Sequence, residues 1–393
     1  MKQLFCSVFL VAFSSHVNAT LSDCTAQELC DLGKQSRVLG NYPRALSCFR
    51  AASAKAPDSE EVSLELALAH LACEHFNKGF ELLDNHFRKF SPLEKQWHGQ
   101  NLEGKRILIH TPAWGFGDLF MFLRFARGLR NQGATVVIFA DNVIIPFLQI
   151  QNYIADTIII NNCVLNDSYF GHIVIVERNK LPAYDYEAHL WCLPALMKVT
   201  AKSIPQMPYI QADQARVQHW ADQMKRNDLL KIGICWQGAS RNDEQLKQRS
   251  MPFECFTPLL EKKGCRFYNL QTGHGFEEIN AEQRQKLIIL DEQLDAKSGA
   301  FVDTAAIIEN LDLVITIDTS IAHLAGAMGK KVFVMLPFAA DWRYHAKRTD
   351  SPWYPTMQLF RQSSPGDWIS PIQIVSSAID ALVGERNAKD CCR

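Results

Sequence analysis

Short apolar runs recur along the last three-quarters of the chain, and they restrict its fold more than any other feature. They form two series, separated by the polar helical stretch QARVQHWADQMKRNDLL. The first series is RILIH, TVVIFA, TIIIN and HIVIV, and the second is KIGICW, FYNLQ, LIIL, LVITI and VFVMLP. Runs of this length alternating with amphipathic helices are typical of parallel sheets covered by helices. We therefore predict an α/β protein with two Rossmann-like lobes in tandem, at residues 101–213 and 214–385.

The connections between the predicted strands add two expectations. Within the second lobe the helix DTAAIIENL is predicted to be capped by Asp303. Open parallel sheets bind ligands beyond the carboxyl ends of their strands, so the cleft between the two lobes is the predicted site.

The first quarter of the chain has a different pattern, in which small and bulky apolar residues repeat with a period of 34. The first copy carries Leu32, Gly33, Gly40, Tyr42, Ala45, Phe49, Ala52 and Pro57, and the second carries Leu66, Ala67, Phe76, Gly79 and Leu83. This spacing resembles the tetratricopeptide repeat, whose paired helices stack on their neighbours. We predict a short all-α block at residues 24–92. With fewer than three repeats, the block either packs on the following domain or forms a groove for a protein partner.

The amino terminus reads MKQLFCSVFLVAFSSHVNA. A lysine, an apolar run from Leu4 to Phe13 and small residues at Val17 and Ala19 predict a signal peptide at residues 1–19, and hence export. The alternative is the first helix of a cytoplasmic protein, and the sequence leaves both open. The run is shorter than the roughly 18 residues that a membrane span needs, and no later segment is long enough.

Charge and cysteine content exclude some classes of protein. The formal net charge is -1, so the chain has no overall attraction for nucleic acid or an anionic membrane, and any phosphate recognition must be local. The 12 cysteines show no C-x-x-C pair and no zinc-like spacing. Cys24, Cys30, Cys48 and Cys73 lie close together in sequence, either as disulfide partners or as reduced, buried residues.

The segment from Leu313 to Val334 carries the strongest functional signal. A buried strand ends before Asp318, Thr319 and Ser320, and a helix rich in alanine and glycine follows. The start of such a helix presents unpaired N–H groups and the positive end of its dipole, which suit a phosphate. The same residue types are also favoured helix caps, so an anion site and an ordinary capped helix fit this segment equally well.

Neighbouring residues favour the anion site through a family resemblance. The segment is similar to the donor motif of the ADP-heptose:lipopolysaccharide heptosyltransferases, glycosyltransferase family 9, and more closely to bacterial tetratricopeptide-repeat glycosyltransferases. The match spans residues 104–382 and includes Asp318, Thr319, Ser320, Ala322, His323, Leu324, Ala325, Gly326, Ala327, Leu336, Pro337, Phe338, Asp341, Trp342, Arg343, Ser351, Pro352, Trp353, Tyr354, Pro355, Arg361 and Gln362. The resemblance implies a two-lobed GT-B fold that binds a nucleotide-sugar donor and transfers its sugar to a glycan, lipopolysaccharide or protein acceptor.

The same resemblance assigns a role to the loop that follows the first strand of the first lobe. The sequence GFGD places Gly117 and Asp118 between that strand and the next helix. Asp118 would be the general base that accepts the acceptor's hydroxyl proton, and Gly117 counts among the donor-binding residues. The alternative makes Asp118 the cap of a helix from Leu119 to Gln132.

Further donor-binding residues are expected in the second lobe. In the polar loop after KIGICW, the resemblance assigns the donor diphosphate to Lys247 or Arg249, with Arg241 as a third basic candidate, because the departing diphosphate must be neutralised. Gln271 and His323 are expected to touch the nucleotide or its phosphates; His323 could equally be a core histidine.

The overall expectation is an inverting glycosyltransferase without cofactor or metal, since the chain has no D-x-D carboxylate pair of the kind that holds a metal-bound nucleotide. A scaffold protein with a silent transferase-like domain is the alternative from another class. A nucleotide-sugar epimerase, which shares the two-lobed fold, is a third.

Overall fold

The computed structural model describes residues 21–111, 115–152, 154, 157–161, 183–206, 208–224, 228–238 and 248–390. The predicted signal peptide, the run HIVIV, Arg241 and Lys247 lie outside these residues.

Four helices occupy the predicted all-α block. They are α1 (Ala26–Val38), α2 (Tyr42–Lys55), α3 (Glu60–Ala72) and α4 (Phe76–Phe90). Each helix of the second pair begins 34 positions after its counterpart in the first. Glycines allow each pair to pack closely, since a Cβ on Gly33 would lie 2.6 Å from the Phe49 ring and a Cβ on Gly79 would lie 2.6 Å from Leu71. The tetratricopeptide assignment stays a prediction.

The first lobe contains a parallel sheet of four described strands. They are β1 (Arg106–His110), β2 (Thr135–Asp141), β3 (Thr157–Asn161) and β4 (Tyr186–His189), in the order β3-β2-β1-β4. The helix α5 (Phe116–Arg130) follows β1, and the short helices α6 (Ile145–Ile150) and α7 (Leu193–Leu196) follow β2 and β4. From β1 the chain adds β2 and then β3 on one side of the sheet. It then returns to add β4 on the other side of β1.

The second lobe contains a parallel sheet of six strands in the order β10-β9-β8-β5-β6-β7. The strands are β5 (Leu230–Cys235), β6 (Cys265–Asn269), β7 (Leu287–Ile288), β8 (Leu313–Ile317), β9 (Val332–Leu336) and β10 (Met357–Arg361). The covering helices are α8 (Gln214–Gln223), α9 (Thr257–Leu260), α10 (Ala281–Lys286), α11 (Val302–Glu309), α12 (Ser320–Ala327) and α13 (Ile369–Asp390). Every residue of β8 and β9 is buried, as expected for central strands covered on both faces.

The predicted α/β class and the parallel sheets are confirmed, while some local predictions need correction. The strands β4 and β10 were not among the predicted runs, because YEAH is short and polar and MQLFR has only brief alternation. Asp303 does not cap α11: the helix begins one residue earlier, and Asp295 accepts the N–H groups of Asp303 and Thr304 at 2.7 and 3.0 Å. Asp303 instead accepts hydrogen bonds from Arg216 and Trp220.

The helical block packs on the rest of the protein through an aromatic surface. The ring of Phe80 lies edge-on to Trp342 and Trp353, with centroids 6.2 Å away in both cases. The Tyr42 hydroxyl donates to the carbonyl oxygen of Ala340 at 2.8 Å. One continuous apolar core therefore joins the block to both lobes, which supports the packing alternative for the block.

Two further findings concern the cysteines and membrane insertion. Cys24, Cys30, Cys48 and Cys73 are all free thiols. Burial raises the pKa of the Cys30 thiol to about 11, as expected for an inert core cysteine. Within the described ranges, no helix combines the length and the apolar character of a membrane span.

Candidate active site between the two lobes

Each sheet has one point at which its strand order reverses direction. In the first sheet this switch point lies between β1 and β4, and in the second it lies between β5 and β8. Crevices beyond the carboxyl ends of the strands at such points are the usual ligand sites of open α/β sheets. The candidate site is therefore built from the residues that follow β1, β5 and β8.

The predicted phosphate site follows β8. Asp318 lies just after the strand, and its Oδ1 accepts a hydrogen bond of 3.0 Å from the Tyr344 hydroxyl. Its Oδ2 lies 3.6 Å from Nη1 of Arg249, which connects the polar loop after β5 to the start of α12. The carboxylate of Asp318 is thus held by two side chains and does not cap the helix.

The helix α12 begins without a side-chain cap. Thr319 occupies the capping position, but its hydroxyl is 3.0 Å from the hydroxyl of Thr316 and makes no bond to the helix. Ser320 is half-buried, and its hydroxyl has no hydrogen-bond partner among the described residues. The ordinary capped helix, one of the two alternatives for this segment, is therefore not what the structure contains. The uncapped start leaves N–H donors and a positive dipole end available to an anion.

Of the three basic residues predicted to bind phosphate, Arg249 lies within the described residues. It packs against the loop after β5, where a Cβ on Gly238 would lie 3.1 Å from its Nη2. Its Nε is buried and has no hydrogen-bond partner in the described part of the chain. Because an unpaired buried donor is costly, a ligand oxygen at this position would be stabilised. Arg241 and Lys247, the other basic candidates, lie outside the described residues.

Asp118 lies in the first turn of α5 and is not its cap. The helix begins at Phe116, and Gly115 holds the capping position with φ of +91°. The side chain of Asp118 is 18% exposed and forms an ion pair with Arg343 of the second lobe. Burial raises the pKa of Asp118 to about 6, against the opposing attraction of Arg343. A carboxylate with this pKa is ionised at neutral pH and is more basic than a surface aspartate.

Arg343 is a site residue that the sequence analysis did not assign, although it belongs to the matching run DWRY. It lies in a short 3-10 turn, Trp342–Tyr344, and its Nη1 also donates to Oδ1 of Asp341 at 2.6 Å. The carboxylates of Asp118 and Asp341 raise the pKa of its guanidinium despite burial. An arginine two positions after Asp341, between Trp342 and Tyr344, was the signal that could have revealed it.

The two lobes touch where Gly117 meets His323. A Cβ on Gly117 would lie 2.9 Å from Cδ2 of the imidazole, so a glycine is required for the start of α5 to approach α12 this closely. The imidazole of His323 is buried, with Nδ1 3.1 Å from the Tyr354 hydroxyl and Nε2 3.4 Å from the Tyr344 hydroxyl. Burial lowers the pKa of His323 to about 3, so it is neutral. Both nitrogens face protein hydroxyls, which fits the core-histidine alternative.

Gln271 positions the loop that carries Trp236 and Gln237. Its Oε1 accepts the backbone N–H groups of these two residues at 3.1 and 2.9 Å, and its Nε2 donates to the carbonyl of His274 at 2.7 Å. The amide is buried and fully used within the protein. Direct contact of Gln271 with a nucleotide stays a prediction.

Comparison with known structures identifies the class of fold. The chain is similar to the crystal structure of the glycosyl transferase family 9 from Veillonella parvula, with a TM-score of 0.52, 12% identity, and coverage of 73% of this chain and 99% of that one. It is also similar to E. coli ADP-heptose lps heptosyltransferase II, with a TM-score of 0.49, 16% identity, and coverage of 72% and 99%. At these identities the former likeness establishes an α/β fold shared with a glycosyltransferase structure.

Sequence comparison adds one particular relative. The chain is 28% identical over 360 residues to protein FlbA of Caulobacter vibrioides, and the alignment covers 87% of this chain. It spans 59% of the length of FlbA. No protein family model matches the chain.

Proposed function

We propose that the protein is a glycosyltransferase of the two-lobed GT-B type that moves a sugar from a nucleotide-sugar donor to an acceptor hydroxyl. One observation carries the proposal. Asp118 of the first lobe and Arg343 of the second form an ion pair next to Tyr344, whose hydroxyl binds Asp318 before the uncapped start of α12. In this proposal Asp118 is the basic carboxylate and the start of α12 is the anion site, the two groups that transfer from a diphosphate to a hydroxyl requires.

The proposed reaction inverts the anomeric centre in one displacement. Asp118 accepts the proton of the acceptor hydroxyl while that oxygen forms a bond to the anomeric carbon. The bond from this carbon to the diphosphate oxygen breaks, and its electron pair leaves with the nucleoside diphosphate. Arg249 and the N–H groups at the start of α12 stabilise the charge that develops on the departing oxygens.

The reaction is proposed to proceed without a metal ion. In this arrangement the guanidinium of Arg249 and the helix dipole neutralise the diphosphate, the task that a divalent cation performs in other transferases. Chelator should therefore leave turnover unchanged, whereas loss of turnover in chelator, restored by Mg²⁺ or Mn²⁺, would contradict this part of the proposal.

The experiment that tests the function is calorimetry against a panel of ADP-, UDP-, GDP- and dTDP-sugars, followed by measurement of nucleoside diphosphate release. Wild-type protein should bind at least one donor and release its diphosphate. The Arg249→Ala variant should weaken binding at least tenfold, and Asp118→Asn should lower turnover at least a hundredfold with donor affinity retained. The matched controls are Arg284→Ala and Asp222→Asn, which change exposed residues of the second lobe.

Two outcomes would overturn the proposal. A protein that binds no member of the panel would be a silent scaffold, the alternative from the sequence. Undiminished turnover in Asp118→Asn would remove Asp118 from the role of base.

A further inference from the structure

A second polar pair lies in the first lobe, outside the groups that the proposed reaction uses. His110 is the last residue of β1, and its Nε2 lies 2.9 Å from Oε2 of Glu187 on β4. The carboxylate side chain of Glu187 is 1% exposed, whereas the imidazole of His110 is 23% exposed. The buried carboxylate therefore holds an imidazole that reaches the surface.

The position of this pair is that of a ligand site. The strands β1 and β4 flank the switch point of the first sheet, and His110 lies directly opposite His189 at the carboxyl ends of these strands. The same position in the second sheet holds Arg249 and Asp318, the candidate donor site. The helix that follows β1 carries Asp118 in its first turn, so the pair belongs to the side of the cleft that supplies the base.

The hydrogen bonds of Glu187 determine which imidazole nitrogen is presented. A carboxylate accepts, so Nε2 of His110 carries a proton and donates to Oε2. With the ring proton on Nε2, Nδ1 carries the lone pair that can accept a hydrogen bond. Nδ1 has no partner among the described residues, and Oε1 of Glu187 is occupied by the backbone N–H of Lys95 at 3.1 Å. The pair is thus set to accept a hydrogen bond from a hydroxyl group.

Apart from the carboxylate of Glu187, the ring contacts of the imidazole are aromatic. The ring of His110 lies edge-on to Phe139 with centroids 5.7 Å apart and 5.8 Å from the ring of His189. Burial lowers the pKa of His189 to about 4, so this second histidine is neutral. Aromatic faces next to a few fixed hydrogen-bonding groups are characteristic of sites for uncharged polar ligands such as sugars.

A polypeptide ligand is less compatible with this end of the sheet. Extended peptides commonly bind by adding a strand to an open sheet edge. The outer edge of β4 is already paired, because the N–H of Trp97 donates to the carbonyl of Glu187 at 2.8 Å and the N–H of Glu187 donates to the carbonyl of Lys95 at 2.7 Å. The described edge therefore offers a strand-forming peptide no free partner at this point.

We propose that His110, oriented by Glu187, binds a hydroxyl group of a carbohydrate acceptor in the cleft of the first lobe. The hydroxyl donates to Nδ1 of His110, while Asp118 remains the group that takes the reacting proton. This inference rests on the proposed function, because it assigns the acceptor class of the same cleft.

A glycan-binding experiment tests the acceptor class. Labelled full-length protein is applied to an array of immobilised mono- and oligosaccharides, and nucleotide-sugar affinity is measured in parallel on the same samples. Wild-type protein should bind at least one glycan, and His110→Phe, which keeps the ring but removes both nitrogens, should weaken that binding at least tenfold without changing donor affinity. His219→Phe, at an exposed histidine of α8, is the matched control.

The isosteric variant Glu187→Gln provides a readout that does not depend on activity. Its amide oxygen must stay with the N–H of Lys95, so the NH₂ group faces Nε2 of His110 and the ring proton moves to Nδ1. The ¹⁵N chemical shifts of the His110 ring should therefore exchange their protonated and unprotonated assignments. Glycan binding should fall by less than in His110→Phe, because the ligand hydroxyl can also accept a hydrogen bond from Nδ1–H.

Several results would overturn the inference. Wild-type protein that captures no glycan, or equal capture by wild type and His110→Phe, would contradict it while leaving donor binding intact. If serine- or threonine-containing peptides bind instead and His110→Phe abolishes this, the acceptor is a polypeptide and the carbohydrate assignment is wrong. Failure to bind any nucleotide sugar would instead contradict the proposed function.

Discussion

Arg343 of the second lobe donates a hydrogen bond from Nη2 to Oδ1 of Asp118 in the first lobe, across the boundary between the two sheets. Both side chains are largely buried, with 10% of the arginine and 18% of the aspartate exposed. A buried pair adds little net stability when intact, but removing one partner leaves an uncompensated charge. The pair therefore fixes how the candidate base faces the candidate donor site.

Removing the side chain of Arg343 alone should destabilise the protein. We expect Arg343→Leu to lower the free energy of unfolding by about 3–5 kcal/mol, because Asp118 loses its buried partner. The double variant Asp118→Asn/Arg343→Leu should recover part of this loss. Urea unfolding of the four proteins in the cycle measures the coupling. Arg284→Leu, which breaks an exposed pair with Glu292, should cost less than about 1 kcal/mol; an equally small effect of Arg343→Leu would contradict a buried ion pair.

The raised pKa of Asp118 predicts two pH dependences. A base that must be ionised loses activity below about pH 6, tenfold per pH unit, so the acidic limb of turnover should lie near the pKa of about 6. A limb near 4 would contradict the effect of burial.

The stability of the protein should respond to the same group. Because the folded state binds the Asp118 proton more tightly than the unfolded state, this contribution to stability is complete below pH 3.8 and is lost as the pH rises through about 6. Relative to Asp118→Asn, the wild type should lose about 3 kcal/mol of unfolding free energy over this window. Chemical denaturation of both proteins at several pH values measures the difference.

The contact between Gly117 and His323 predicts a steric effect on the lobe boundary. A methyl group on Gly117 would lie 2.9 Å from the buried imidazole, so Gly117→Ala should cost about 1–3 kcal/mol and weaken nucleotide-sugar binding by displacing α5 from α12. Gly384→Ala is the control, since a Cβ there meets nothing within 4 Å in the helix α13. This change should stabilise the protein by about 0.5–1 kcal/mol. Calorimetric melting and donor titration distinguish the two variants.

Packing of the helical block should stabilise the turn that carries Arg343. Phe80→Ala removes a buried ring from Trp342 and Trp353, and we expect a loss of about 3–5 kcal/mol. Tyr42→Phe leaves the carbonyl of Ala340 without its side-chain donor and should cost about 1–3 kcal/mol. Intrinsic fluorescence sums the eight tryptophans of the chain, among them Trp342 and Trp353 in contact with Phe80, and it follows unfolding of the wild type and both variants. Two separate transitions, with the block unfolding independently, would contradict one shared core.

The sequence predicts the parts of this fold that depend on local pattern. Runs such as RILIH and LVITI match the strands β1 and β8 residue for residue. All five residues of β8 and the three central residues of β1 are buried, and such positions are occupied mainly by apolar residues. The strand β4 was missed because its length is four residues and two of them, Glu187 and His189, are polar for reasons of the site rather than the sheet.

The pairings within the candidate site could not be predicted in the same way. Asp118 and Arg343 are 225 positions apart, and only the docking of the two lobes brings them together. His110 and Glu187 are 77 positions apart and meet only because β1 and β4 are neighbours across the switch point. Side-chain contacts also depend on the fold: a cap by Thr319 was one of two alternatives for the start of α12, but its hydroxyl faces Thr316.

Gln271 allows a test that separates a positioning role from direct contact with the nucleotide. Its Oε1 holds the N–H groups of Trp236 and Gln237, and this loop packs against Arg249 through Gly238. Gln271→Met should leave these two donors unpaired, at a cost of about 1–3 kcal/mol for each, and should weaken donor binding by releasing the loop.

Gln271→Glu keeps the acceptor for both N–H groups and replaces only the donor to His274. If Gln271 positions the loop, Gln271→Glu should retain more donor affinity than Gln271→Met in calorimetric titration at pH 7. If the amide touches the phosphates directly, the added negative charge of the glutamate should instead make Gln271→Glu the weaker binder. The rank order of the two variants therefore decides between the roles, because loop support depends on the acceptor oxygen and phosphate contact depends on the sign of the charge.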